Sequence, residues 1–213
     1  METNHEIFTE LIETYLVDRV YRDYFESHLP RFDLSLNVFR EFLADKEIKT
    51  VADIGSWFPF ASIYFKKEKQ AAVSCFSLEI KEPYDKDGVS FDFLNLNRPD
   101  DIGQFDLVIL TECLEHLPSS ALRALMFAWF SVKNEGYLFV SFPCGGINAV
   151  GHEKDLTDYD WGVAHPHIRE FTPEIADHYV SLLGGKVLSR SAIKTQAYQA
   201  NMLHYLIHKV PLC

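Results

Sequence analysis

The chain has 213 residues, 47% of them hydrophobic and 24% charged, with a net charge of −11 and a pI of about 5.2. That length suits one domain with a substantial core, and that composition argues against disorder. The acidic balance, with no basic run anywhere, argues against tight binding to a phosphate backbone, which needs clustered Lys and Arg.

In chain order, Ile7, Phe8, Leu11, Ile12, Tyr15, Leu16 and Val20 fall at helical spacing and predict a helix from about Glu6 to Glu26. Leu36 to Leu43 predicts a second helix, with Pro30 interrupting the two. These segments make a helical cap over residues 1–45, and residues 46–213 form the rest of one single domain. The N-terminus lacks the basic start and apolar stretch of a signal peptide, and the apolar region from Ala121 to Val132 is too short to span a bilayer. Cys75, Cys113, Cys144 and Cys213 form no CxxC pair. Reduced thiols in a cytoplasmic protein are the expectation.

From Lys49 onward, strands alternate with helices. Thr50 to Ile54 is a short apolar strand ending at Gly55, and Ala72 to Leu78 is a second, ending at Glu79. Phe91-Asp92-Phe93 stands where a third would end. Phe105 to Leu110 is a strand, Ser119 to Val132 a helix, and Gly136 to Phe142 the next strand. Near-continuous apolar runs separated by helices indicate a parallel sheet buried on both faces. A long polar loop, about Gly145 to Glu170, leads to a helix starting near Thr172-Pro173-Glu174. Two strands follow, Lys186 to Lys194 and Met202 to Lys209, and the link between them is too brief for a parallel crossover. The expected fold is α/β: a Rossmann-like, mostly parallel seven-stranded sheet with an antiparallel C-terminal edge hairpin and helices on both faces.

Open parallel sheets bind ligands beyond the carboxyl ends of their strands. Asp53 and Gly55 lie at one such end and Glu79 at another, where a carboxylate accepts two hydrogen bonds from adjacent ribose hydroxyls. Asp92 and Phe93 offer an acceptor and a ring suited to adenine. These features, in this order, resemble the class I S-adenosylmethionine-dependent methyltransferases. The matching segments are VADIGS (51–56), SLEI (77–80), FDF (91–93), FDLVILTECLEHLP (105–118) and NEGYLFVSFP (134–143). HIREFTPEIADHYVSLLGGKV (167–187) adds a match to the small-molecule enzymes.

The resemblance implies S-adenosylmethionine as cofactor. Asp53, Gly55 and Ser56 would surround its methionine part, Glu79 the ribose, Asp92 and Phe93 the adenine, and Thr111 and Glu112 the floor beside the sulfonium. The sequence departs from the family at Gly55-Ser56-Trp57-Phe58-Pro59-Phe60, where further glycines are usual. The bulky side chains must point away, or the cofactor must sit differently. A binding or scaffold protein that has lost the cofactor is therefore the competing class. A nicotinamide-dependent dehydrogenase would need a G-x-G-x-x-G turn, which is absent.

A sulfonium methyl is already activated, so the protein must mainly position a deprotonated acceptor. Histidine suits the role of base, and His116 and His167 flank the expected pocket. Glu112, Glu115 and His116, with His165 or His167, also present a donor set for a divalent ion, as in some relatives with E-x-x-E-H. That motif also occurs in metal-free relatives, and no metal is assigned. Pro143-Cys144 follows the fifth strand rather than the fourth, so Cys144 is read as an ordinary thiol. The expected partner is a small-molecule methyl acceptor, methylated on a hydroxyl oxygen, with no nucleic acid and no membrane.

Overall fold

The computed structural model describes residues 19–56, 59–78, 80, 82–117, 119–144, 169, 171–194 and 201–211, together with Thr9; for 19–28 and 201 it describes the backbone only. The strands are β1 (Thr50–Ile54), β2 (Ala72–Ser77), β3 (Tyr84–Lys86), β4 (Val89–Phe93), β5 (Phe105–Leu110), β6 (Val132–Cys144), β7 (Lys186–Lys194) and β8 (Asn201–His208). The helices are α1 (Arg19–Leu43), α2 (Phe60–Lys69), α3 (Ala121–Phe130) and α4 (Pro173–Ser181), with a 3-10 turn at Leu114–His116.

Among the described residues, the strands join one sheet in the order β3-β4-β2-β1-β5-β6-β8-β7. Pairings from β4 through β6 are parallel, and β8 inserts antiparallel between β6 and β7. The mostly parallel Rossmann-like sheet with an antiparallel C-terminal edge is thus present. Among the described residues it has eight strands rather than the expected seven. The extra strand, β3, pairs antiparallel with β4 through a two-residue turn, Asp87-Gly88, with φ of 54° and 71°. Positive φ at both central residues is the geometry that Asp-Gly favours in tight hairpins.

Side chains alternate across the central strands, so each strand feeds two cores. Val51, Leu107, Ile109, Phe139 and Leu206 face α1 and α2. Ala52, Ile54, Val108, Leu110, Val140 and Ile207 face the opposite core, with α3 and α4. The starts of α3 and α4 are capped: the Arg123 N–H donates to Ser120 Oγ, and the Ile175 N–H to Thr172 Oγ1. Pro173 then occupies the first turn of α4, where its missing N–H costs nothing.

The N-terminal segment differs from expectation. Pro30 lies inside a continuous helix instead of separating two. An interior proline costs roughly 3 kcal/mol. Against that, Phe32, Leu36, Phe39 and Leu43 are all buried on one face of the helix. Each is worth about 1.5–3 kcal/mol when buried, so packing outweighs the break. Residues 1–8 and 10–18, which carry most of the first expected helix, lie outside the described residues.

Candidate functional site

The chain turns from β1 to β2 and β4 on one side, then crosses to β5 and β6 on the other. The carboxyl ends of β1 and β5 therefore flank the switch point, where such sheets open a crevice. Gly55, Ser56, Thr111 and Glu112 stand there. Gly55 has φ of +75°, and a Cβ on it would lie 2.6 Å from Cys113 Sγ. Both the left-handed backbone and the lack of room require glycine. The Gly55 and Ser56 N–H groups both donate to the Phe76 carbonyl, tying the turn to the end of β2.

Asp53 is 5% exposed, and its side chain accepts a hydrogen bond from the Ser62 hydroxyl of α2. Burial pushes its carboxyl up to about 7, although the Ser62 and Ser56 hydroxyls pull the other way. Asp92 and Phe93 end β4 beside Phe76 and Ser77 of β2. Asp92 accepts from the Phe93 N–H, and the Phe93 ring is 49% exposed. An exposed ring beside a solvated carboxylate is a suitable platform for a purine. Glu79, Trp57 and Phe58 lie outside the described residues.

Glu112 adopts φ of +51°, an unusual backbone for a non-glycine residue. Its N–H donates to Ser141 Oγ at 3.0 Å, and Ser141 Oγ donates to Glu112 Oε1 at 2.7 Å. Its other oxygen, Oε2, lies 2.8 Å from Arg31 Nη1 of α1, the two side chains being 8% (Arg31) and 19% (Glu112) exposed. Thr111, next to it, is half-buried. Glu115 is fully buried, and neither of its oxygens has a hydrogen-bond partner among the described residues. Burial, then the nearby Glu112, push its carboxyl well above the usual range. His116 Nε2 approaches Glu115 Oε1 only to 3.7 Å.

Among the described residues no three His, Cys, Asp or Glu side chains gather closely enough to hold a metal ion. His165 and His167, the expected partners of His116, lie outside the described residues. Cys75, Cys113 and Cys144 are buried, free thiols. Two contacts involve the described residues on either side of 145–168. Cys144 bridges to Phe171, and the Arg169 guanidinium donates to the carbonyls of Leu117 and Ser119.

Three site residues escaped the sequence reading: Arg31, Ser141 and His204. His204 on β8 is the register partner of Ser141 on β6. It is 1% exposed, and its ring lies parallel to Phe139 at 5.7 Å. Their signals were weak: an arginine beside a proline, and one histidine inside the otherwise apolar strand Met-Leu-His-Tyr-Leu-Ile.

The chain has the fold of the class I S-adenosylmethionine-dependent methyltransferases. Similar solved structures include the 1,6-didemethyltoxoflavin-N1-methyltransferase of Burkholderia thailandensis, bound to 1,6-didemethyltoxoflavin and S-adenosylhomocysteine. It is 14% identical with a TM-score of 0.63, over 99% of this chain and 92% of that one. Magnesium protoporphyrin IX methyltransferase from Synechocystis PCC 6803, with bound S-adenosylhomocysteine, is 15% identical with a TM-score of 0.60, over 96% and 94%. The [4+2]-cyclase SpnF is 11% identical with a TM-score of 0.59, over 84% and 80%. No protein-family model matches the sequence, and no curated protein matches it by sequence. Identities this low establish the fold, and the cyclase shows that the fold serves more than one chemistry.

Proposed function

We propose that this chain is an S-adenosylmethionine-dependent methyltransferase that acts on a small molecule, at a hydroxyl oxygen. The observation that carries the reading is the glycine turn at the switch point. Gly55 is held at φ +75° against Cys113, with Asp92 and the exposed Phe93 ring across the same sheet edge. These residues fit a ligand with an amino-acid end and a purine end. When bound, the cofactor supplies a sulfonium methyl that is already activated.

The protein's own work is then to bind, orient and exclude water. Asp92 and Phe93 receive the adenine, Glu79 the ribose, and Asp53, Gly55 and Ser56 the methionine part. Thr111 and Glu112 floor the crevice, and His116 and His167 are the candidate bases. Two solved methyltransferases of similar fold hold S-adenosylhomocysteine, and both are named for small-molecule acceptors, which supports the same ligand class here. No helix among the described residues is long and apolar enough to cross a membrane. We place the protein in the cytoplasm and read it as one domain, with the N-terminal helical segment as a cap.

Calorimetric titration of the full chain with S-adenosylmethionine and S-adenosylhomocysteine tests the proposal. Saturable micromolar binding is expected. Glu79→Ala should weaken it by about 1–3 kcal/mol through loss of charge-assisted hydrogen bonds. A well-folded protein that binds neither compound would instead be a scaffold, with Trp57 and Phe58 as the first suspects for blocking the site.

A further inference from the structure

We infer that the buried cluster of Arg31, Glu112, Ser141 and His204 beneath α1 receives the methyl acceptor, with His204 hydrogen-bonding a neutral hydroxyl group. The inference rests on the methyltransferase reading and adds to it the place and chemistry of acceptor recognition.

Position comes first. Val140 of β6 is level with Leu110, the last residue of β5, so Ser141 stands one step beyond the end of that strand. His204 lies opposite Ser141 and is therefore level with the floor of the crevice. Arg31 reaches the same place from α1 through its 2.8 Å contact with Glu112. A helix, a loop after β5 and two strands thus converge where an acceptor must lie to meet the crevice.

Unused hydrogen-bonding capacity comes second. Neither ring nitrogen of His204 has a partner among the described residues, although the side chain is almost wholly buried. A neutral imidazole carries one donor and one acceptor, and leaving both unpaired exacts the full desolvation penalty. A histidine kept only to pack against Phe139 would be bettered by phenylalanine or leucine. The orphan nitrogens therefore call for a partner, and a bound hydroxyl would supply it.

Charge decides the ligand class. Arg31 and Glu112 neutralise each other, and Ser141 is bonded to Glu112. Burial lowers the His204 pKa to about 4, with Glu112 opposing and Arg31 reinforcing the shift, so the ring is neutral at physiological pH. The cluster offers no net charge to an ionic acceptor. It offers one imidazole donor and one imidazole acceptor, a pair that suits the hydroxyl of an alcohol or phenol. Because α1 covers the cluster through Arg31, that helix must shift to admit the ligand.

The test uses full-length protein labelled with 15N-histidine and phenol as the hydroxyl probe, with and without S-adenosylhomocysteine. The His204 signals, assigned by their loss in His204→Asn, should move saturably as phenol is added. His204→Phe should bind phenol about five- to tenfold more weakly, as expected for one lost hydrogen bond, while S-adenosylhomocysteine affinity stays within about twofold. Phenol that leaves the His204 signals unmoved, or that binds His204→Phe as it binds the wild type, overturns the inference. If His204→Phe does not fold, the wild-type titration decides alone. Failure of S-adenosylhomocysteine to bind removes the methyltransferase reading, whereas the phenol titration without it judges His204 independently.

Discussion

At the amino end of β5 the Asp106 carboxylate accepts from the Lys49 and Thr50 N–H groups, the Thr50 hydroxyl and Lys133 Nζ, at 2.8 to 3.0 Å. Burial alone would raise its pKa, but Lys133 and these donors outweigh it and hold the carboxyl below its usual range. At the carboxyl ends of β1 and β5 the pattern reverses. Asp53 and Glu115 are raised by burial, His204 is lowered by it, and Glu115 and His204 have no hydrogen-bond partners among the described residues. Two ends of the same strands thus treat polar groups in opposite ways. A saturated carboxylate holds the sheet together; the perturbed and unpaired groups lie at the end where we propose that the ligand binds.

The largest effect that would break this contrast concerns Asp53. Its folded-state pKa of about 7 exceeds the ordinary 3.8. Between those values the folded protein keeps a proton that the unfolded chain has released. Stability from this group is therefore full below pH 4 and is lost as pH rises toward 7. At about 1.4 kcal/mol per pH unit, the total loss is at most roughly 4 kcal/mol. Asp53→Asn keeps an oxygen for Ser62 and removes the titration. Its stability relative to wild type, from urea unfolding between pH 4 and 8, should climb with pH and level off above 7. A flat difference would mean that Asp53 is ionised and paired in the folded protein, and the two ends would be alike.

Next in size is the saturated end. Asp106→Ala leaves the Lys49 and Thr50 amides and Lys133 without their acceptor, and should cost about 3 kcal/mol at neutral pH. Because Asp106 lies at the far end of β5, S-adenosylhomocysteine affinity of the folded variant should stay within about twofold. A large loss of affinity measured by calorimetry in a folded sample would show that the two ends are energetically coupled.

This division also explains what the sequence revealed. The central strands were legible because burial on both faces makes them continuous apolar runs, as in Phe105 to Leu110. The hairpin of β3 was missed because Tyr84-Asp85-Lys86 is short and mostly exposed, although Asp87-Gly88 carried the turn signal. Pro30 misled because the local cost of a proline is visible in sequence while the burial of Phe32 and Phe39 is not. Gly55, Asp53 and Glu112 sit in motifs and were readable, and their position at the sheet edge was too. Arg31 and His204 were not. They come from α1 and β8, at opposite ends of the chain, and only the sheet order brings them to Glu112.

The smallest effect separates two reasons for one glycine. Gly55→Ala meets both a left-handed backbone and the Cys113 sulfur at 2.6 Å, and should cost about 1–3 kcal/mol. A double-mutant cycle with Cys113→Ala divides that cost, because it removes the sulfur overlap while leaving φ and the 3.0 Å approach to the Cys113 Cβ unchanged. A residual penalty near 1 kcal/mol with S-adenosylhomocysteine affinity restored would assign the glycine to close packing under the ligand. The same residual penalty without restored affinity would instead mean that the ligand itself lies against the Gly55 Cα, where no side chain of any size is tolerated.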